Sequence, residues 1–348
     1  MTSSECTNYP KQVSTATGAA GVDREVLDQI KKKIGAFTRI THGSQVISAV
    51  GGFAGMYLLE GYREPVLVSS TDGVGTKSKI GSLLGHYESL GIDLVNLNVN
   101  DILTCGAKPI FFLDYIAMGR VDAQRIDTLL RGMTWACREV GCALIGGETA
   151  QTPGVYAGDD FDLAGFVVGV VERKSVIDGS AIREGDALLG IPSSGLHTNG
   201  FSLVRHVFRI EENRAVLFRR YDELSHSLGE ELLIPHRCYY PLLKLFPLIK
   251  GMAHITGGGL VGNVPRVLPA GLVARFALGS WDIHPIFNII QREGNVEQDE
   301  MFRVFNMGLG MVLVCDPAKV KELRSAMPEA RVVGEVERQR DEVRVVFE

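Results

Sequence analysis

The sequence is short of the features that most often signal chemistry or location. Its six cysteines form no Cys-x-x-Cys pair, which argues against a zinc ligand set, and a chain of 348 residues needs no disulfide framework. Reduced thiols in a cytoplasmic protein are the simplest reading. No apolar run approaches the length of a membrane span. The opening "MTSSECTNYPKQVSTATG" lacks the charged-then-apolar layout of a signal peptide and reads as a mobile polar arm over 1–20. Basic residues do not outnumber acidic ones: a net charge of −5 leaves no footprint for nucleic acid. Lys31-Lys32-Lys33, the one block of like charge, suits the wet face of a helix. There is no GxSxG, HExxH or HRD pattern, so nothing ties a nucleophile to a base.

What the chain has in excess is glycine, 40 residues, well above the usual roughly 7%. The glycines cluster in short loops, a pattern suited to close backbone approach to ligands. One loop, "SSTDGVGTKSKIG" (69–81), follows the strand-like Pro65-Val66-Leu67-Val68. Its glycines and lysines suit an anion, yet Asp72 would repel phosphate unless Mg²⁺ lay between them. The loop is neither GxxxxGK[ST] nor GxGxxG, and a plain Gly-rich turn with solvated lysines fits it equally well.

Apolar spacing predicts helices over 23–34, 91–105, 123–140 and about 238–246, with others after Asn199 and after Gly257–Gly259. Strands are expected at 65–70, 109–118, 142–146, 163–171, 187–191, 271–277, 309–315, 331–336 and 342–347. This alternation argues for an α/β or α+β chain. The polar, turn-rich "ERKSVIDGSAIREGD" (172–186) marks the boundary between two domains, 21–172 and 173–348.

Several constellations stand out. Asn98 and Asp101, three apart on one helix, share a face and offer hard oxygen ligands for Mg²⁺, or simply a solvated face. In "IGGETAQTPG" Glu148 directly follows a strand beside Gly146 and Gly147, a ligand-binding position or an exposed loop carboxylate. "PSSGLHTNG" (192–200) and "HITGGG" (254–259) each run from a strand end into a helix, where exposed N–H groups can meet anions. With the first loop they suggest two phosphorylated ligands. His197 and His254, inside these loops, are better acid–base candidates than His206 or His226.

Read together, "EPVLVSSTDGVGTKSKI", "GIDLVNLNVNDILTCGAKPIFFLDY", "GCALIGGETAQTPGVY", "SSGLHTNGFSLVR", "MAHITGGGLVGNVPRVLP" and "GNVEQDEMFRVFNMGLGMVLV" resemble the phosphoribosylformylglycinamidine cyclo-ligase (aminoimidazole ribonucleotide synthetase) family. The match runs in order from about residue 20 to the end and includes Asp101-x4-Gly106-Ala107-x-Pro109. The resemblance implies a two-domain α+β fold whose N-terminal sheet pairs across a homodimer, and an ATP- and Mg²⁺-dependent ring closure in purine synthesis. It implies that Thr71, Asp72, Gly73, Gly75, Thr76 and Lys77, with Gly146, Gly147 and Glu148, serve the ATP phosphates. Ser193, Ser194, Gly195 and Asn199, with His254, Thr256, Gly257, Gly258 and Gly259, would serve the phosphoribosyl substrate. Asp72, Asp101, Asn98 and Glu148 would hold Mg²⁺, and His197 with Asp101 would be catalytic.

The chain departs from the family pattern in places. Gly18 stands where a Lys is usual, and Gln151-Thr152-Pro153 replaces Glu-Met-Pro. Leu196 replaces the Pro of "SSGPH", and Val304 replaces the Thr of "RTFN". Lys11 is the other lysine of the arm. Related ATP enzymes fit less well. Selenophosphate synthetase expects a Gly-rich Cys-Lys context that Cys6 lacks. The hydrogenase-maturation dehydratase expects a terminal cysteine where this chain has "VRVVFE", and thiamine-monophosphate kinase lacks "GGETA" with "HITGGG". A catalytically silent dimeric paralogue is the remaining alternative, disfavoured by the joint presence of Asp72, Asp101 and Glu148.

Overall fold

A computed structural model describes residues 33–48 and 51–348. The expected arm, with Lys11 and Gly18, lies outside them, as does the helix expected at 23–34 except for its last two positions; 33–40 is helical.

The N-terminal half is one four-stranded sheet, ordered β1-β4-β2-β3, with two long helices on one face. β1 spans Pro65–Gly73, and α1 (Lys77–Leu84) and α2 (Glu88–Leu103) follow. Then come β2 (Lys108–Met118), α3 (Ala123–Glu139), β3 (Ala143–Gln151) and β4 (Phe161–Glu172). β4 runs antiparallel to both β1 and β2, while β2 and β3 are parallel across the α3 crossover. Ile126, Leu129, Leu130, Met133 and Cys137 make α3's buried stripe, as their spacing requires, and Asp122 caps it by accepting from the Gln124 and Arg125 amides. α2 crosses α3 at backbone contact distance. A Cβ on Gly91 would lie 2.2 Å from the Leu129 carbonyl oxygen, and one on Gly132 would lie 2.1 Å from that of Glu88. On the sheet's other face Tyr57, Leu59 and Tyr62 cover Val168 and Val170, and the rest is open, with Leu67, Tyr115 and Phe166 exposed at 63%, 43% and 38%.

The C-terminal half is built on a six-stranded sheet, ordered β10-β7-β9-β5-β8-β6. Two of its interior strands, β5 (Ala187–Pro192) and β8 (Leu309–Cys315), are almost wholly buried, which is why both read as unbroken apolar runs. α4 (Phe201–Val207), α5 (Leu228–Leu232), β6 (Gly251–His254), α6 (Gly259–Asn263) and β7 (Leu272–Phe276) lie between them in sequence, and β9 (Arg331–Arg338) and β10 (Val345–Phe347) close the chain. Two expectations change. The helix expected at 238–246 is a 3₁₀ helix over Tyr240–Leu248, with a proline in its first turn and Pro247 inside, both of which deny it α-helical bonds. β3 continues to Gln151, so Glu148 lies within a strand and not beyond its end. Both halves contribute to one continuous apolar cluster, and the fold is α+β.

Candidate active site

The two halves are joined by polar side chains buried along α2. Asp93, Asn96 and Asn100 are spaced three and four apart, so they line one face. That face reads the backbone of 234–239. Asp93 accepts from the His236 amide at 2.6 Å, Asn96 donates to the His236 carbonyl at 2.7 Å, and Asn100 donates to the Arg237 carbonyl and accepts from the Tyr239 amide, both at 2.8 Å. Lys77, the first residue of α1, is fully buried. Its ammonium pairs with Asp93 at 2.8 Å and donates to the Ile234 carbonyl at 2.9 Å. Burial pushes the Lys77 pKa down and that of Asp93 up, and the pair's mutual attraction opposes both shifts.

The adjacent face of α2 carries Asn98 and Asp101 toward β1. Asn98 donates to the Asp72 and Leu94 carbonyls, while Ser70 donates to Asp101 Oδ2 at 2.9 Å. Asp72, one residue before the end of β1, has its carboxylate on the Gly73 amide at 2.7 Å. The protein packed around that carboxyl raises its pKa; the Gly73 N–H opposes the rise, and the charge of Asp101 adds to it. Two neighbouring carboxylates that repel one another at a partly open rim are the kind of oxygen donors a divalent cation would stabilise, so Asp72 and Asp101 fit Mg²⁺.

From the other half, His254 at the end of β6 brings Nδ1 to 2.8 Å from Asp101 Oδ1. Its Nε2 lies 2.9 Å from Nε2 of His236, whose Nδ1 is 3.3 Å from the Thr198 hydroxyl. His197 stacks on His236 with ring centroids 3.8 Å apart and planes at 21°. All three imidazoles are buried. Gly310 makes room for this group: a Cβ there would lie 1.8 Å from Tyr239 Oη and 2.6 Å from His197 Cε1. The exposed Gly257-Gly258 turn borders the same region, Gly257 lying against Asn199 Oδ1, and Asn263 ties the carbonyls of Thr256, Gly257 and Gly259.

Comparison with known proteins places this arrangement. Residues 55–171 match the family described as "AIR synthase related protein, N-terminal domain", and residues 183–346 match its C-terminal domain counterpart. The chain is 49% identical over 327 residues to the phosphoribosylformylglycinamidine cyclo-ligase of Carboxydothermus hydrogenoformans, covering 91% of this chain and 95% of the relative. It is also 49% identical to that of Geobacillus kaustophilus, with 91% and 94% covered. The chain belongs to the phosphoribosylformylglycinamidine cyclo-ligase family. Among solved structures, thiamine-monophosphate kinase from Stenotrophomonas maltophilia superposes with a TM-score of 0.64 at 15% identity (94% of this chain, 96% of that one). The hydrogenase maturation protein HypE in complex with ATP gives 0.62 at 18% (90% and 88%). At such identities the likeness is one of fold.

Against this cyclo-ligase scaffold several expected site residues move. Lys77 is corrected from phosphate ligand to buried interface residue, since its ammonium has no path to solvent. Lys79, the other lysine of that loop, pairs with Asp160 at 2.7 Å. Thr71 and Thr76 spend their hydroxyls on the Gly165 carbonyl and on Ser202, whereas Gly75 stands open at φ +55°. Asn98 is corrected from metal ligand to a strut beneath Asp72, because its carboxamide is wholly buried with Oδ1 sealed from any ion. Glu148, with Gly146 and Gly147, lies on β3, three strands from β1 and so about 14 Å away at about 4.8 Å per strand. Register pairs Glu148 with Tyr115 on the open face, whereas Asp72 and Gly165 face the helices, so within one chain Glu148 is not brought to Asp72. Ser193 and Gly195 are buried and bonded to Asn306, so they are scaffold, whereas Ser194 is half-buried, with its hydroxyl donating to the Pro235 carbonyl.

His197 is corrected too. It is sealed, its Nε2 taken by the Ser194 amide and its Nδ1 without a partner, and burial first, then the neighbouring His254, hold its pKa well below the usual value. His254 is the histidine that reaches Asp101. Sequence reading missed Asp93, Asn96, His236 and Tyr239. The signal available was three asparagines, Asn96, Asn98 and Asn100, in a helix otherwise rich in Leu, Ile and Val, which marks polar groups needing buried partners. The roughly 590 Å³ cleft between 84–89 and 226–235 contains none of Asp72, Asp101 and His254, so volume alone does not locate the chemistry.

Proposed function

We propose that this chain catalyses the ATP-dependent closure of formylglycinamidine ribonucleotide to aminoimidazole ribonucleotide, releasing ADP and phosphate. Family membership sets the reaction class. The observation that carries the site is the meeting of Asp72 and Asp101 with His254 across the two halves, beside the exposed Gly257-Gly258 turn. The formyl amide oxygen is a poor leaving group. Transfer of the γ-phosphoryl group to that oxygen gives an O-phosphorylated imidate. The amidine nitrogen attacks its carbon, the C–O bond breaks with phosphate leaving and the attacking nitrogen loses its proton; transfer of a proton from the ring methylene to the exocyclic imine nitrogen then completes the aromatic aminoimidazole. Asp72 and Asp101 would hold Mg²⁺, whose chemistry there would be to neutralise charge on the phosphoryl group. Asp101 is held in one orientation by Ser70 and His254, which is what a positioning mechanism requires. His254, one hydrogen bond from Asp101, is placed to move the ring-closure proton. Asn199, Thr256, Gly257 and Gly258 border the substrate region, and Gly73 and Gly75 lie next to the nucleotide phosphates.

The same reading divides the chain at 172–186 and places it in the cytoplasm. No described helix is long and apolar enough to cross a membrane. The open sheet face bearing Leu67, Tyr115 and Phe166 is where a second copy pairs, and any metal contact by Glu148 would come from Glu148 of the partner subunit. Phe166→Glu should yield monomers in sedimentation if this face pairs. The reaction is tested with substrate carrying ¹⁸O in the formyl group. Label in the released phosphate is expected; label in water, or no ATP-dependent turnover, overturns the proposal.

A further inference from the structure

We infer that His236, which lies outside the carboxylate site, is a positioning residue whose N–H holds His254 in the tautomer that donates to Asp101 and thereby holds the orientation of Asp101. The argument starts with protons. Between the Nε2 atoms of His236 and His254, 2.9 Å apart, there is room for one hydrogen. Nδ1 of His254 faces a carboxylate oxygen at 2.8 Å and must carry a proton there, because two lone pairs would repel. A neutral His254 therefore presents a bare Nε2, and His236 must supply the N–H. His236 in turn presents a bare Nδ1, which accepts from the Thr198 hydroxyl at 3.3 Å. Every donor then points the same way, from Thr198 through His236 and His254 to Asp101, and Ser70 donates to the other oxygen of that carboxylate.

The frame of this chain is one helix. α2 holds the His236 backbone at both ends, through Asp93 on its amide and Asn96 on its carbonyl, and two turns further on presents Asp101 to His254. His197 covers the His236 ring from one side. The nearly parallel stack also decides against a three-histidine metal centre, although the three side chains have nitrogens within 4.8 Å of one another. In-plane lone pairs of rings stacked at 3.8 Å do not converge on one ion, and His197 Nε2 is already bonded to the Ser194 amide.

Two arms test this. In the first, ¹⁵N imidazole spectra of the full chain at pH 8 should show His254 protonated on Nδ1 and bare on Nε2, with His236 protonated on Nε2. The opposite pattern for either ring overturns the inference. The second arm rests on the proposed cyclo-ligase reaction and compares three variants. His236→Phe keeps the stack and loses the N–H; His236→Gln loses the ring and keeps an N–H within reach; His236→Ala loses both. Loss of a group that orients a metal ligand costs about ten- to a hundredfold in activity or metal affinity. His236→Phe and His236→Ala should raise the Mg²⁺ concentration for half-maximal turnover, or lower kcat, by that factor with the KM for the phosphoribosyl substrate little changed, and His236→Gln should recover most of the loss. Recovery by Phe and not by Gln would mean that His236 only packs, and would overturn the inference. Should the wild type not turn over at all, the function reading fails and the spectra still decide this one. They do so equally if a variant does not fold.

Discussion

Removing the charge from Lys77 separates the two readings of the first glycine loop. The ammonium is fully buried against Asp93 at 2.8 Å and the Ile234 carbonyl at 2.9 Å, at the seam between the halves. Deleting one partner of a buried pair leaves the other charge desolvated and unpaired, a loss of about 3–5 kcal/mol, against a total stability of about 5–15 kcal/mol. Lys77→Met should therefore lower the urea unfolding midpoint steeply. Asp93→Asn should do so by a similar amount, because its side-chain oxygen can still accept from His236 while Lys77 keeps an uncompensated charge. The double variant carries no buried charge. Its remaining defect is the Ile234 carbonyl, an unsatisfied acceptor worth about 1–3 kcal/mol. The double variant should thus be more stable than either single one, a non-additivity of several kcal/mol, far above the roughly 0.5 kcal/mol scatter between independent sites. The assay is equilibrium urea unfolding followed by far-UV circular dichroism and tryptophan fluorescence, alongside the KM for ATP of the folded protein. An unchanged midpoint with a KM for ATP raised more than about tenfold, near 1.4 kcal/mol of lost binding, would put the ammonium on a phosphate and refute the buried-pair account.

Three further outcomes are expected. Asp101→Asn should lose two to three decades of turnover, on the order of 3–4 kcal/mol, with a melting temperature little changed, since the amide oxygen still accepts from His254 and the amide N–H can donate to the Ser70 hydroxyl once that hydroxyl rotates; near-normal turnover would remove Asp101 from the site. Asp114, buried on β2, is raised to about 7 by desolvation first and by the charge of Glu148 next. A folded pKa above the unfolded value means the native state holds the proton more tightly, so stability falls as pH rises from about 4 through 7, by up to about 4 kcal/mol at about 1.4 kcal/mol per unit. Asp114→Asn should be more stable than wild type at pH 8 and near wild type at pH 4, as read by thermal melts without nucleotide or Mg²⁺; equal melting shifts at both values would refute the assignment. Gly310→Ala drives a methyl into Tyr239 and His197 and should cost about 1–3 kcal/mol, with the ¹⁵N signals of His197 shifting in the same variant. Unperturbed signals would mean that the backbone yields instead.

Strands and helices were largely readable from the chain because their signals are local. The α3 stripe repeats at helical spacing, β5 and β8 are apolar throughout because both faces are covered, and a carboxylate between a strand and a glycine turn announced Asp72. The same locality made Asn98 and Asp101 visible as one helical face, and they do meet β1 together. Sequence could not say which residues would be sealed. Lys77 and Lys79 are two positions apart in one Gly-rich stretch of sequence, yet one points into the seam between the halves and the other to solvent. That depends on Ile234 and Asp93, distant in sequence and supplied by other elements. The histidines follow the same rule. His197 and His254 sit in glycine loops of equal promise, but β6 ends opposite Asp101 while the left-handed turn at His197, φ +63°, folds its ring under Ser194. His236 carries no local signal, for it is one histidine beside a proline, and its role exists only once α2 grips its backbone and β6 delivers His254 to its ring. Glu148 was separated from Asp72 by strand order, which no local pattern encodes: the chain visits the sheet as β1, β2, β3, β4, but hydrogen bonding sets β1 and β3 at opposite edges.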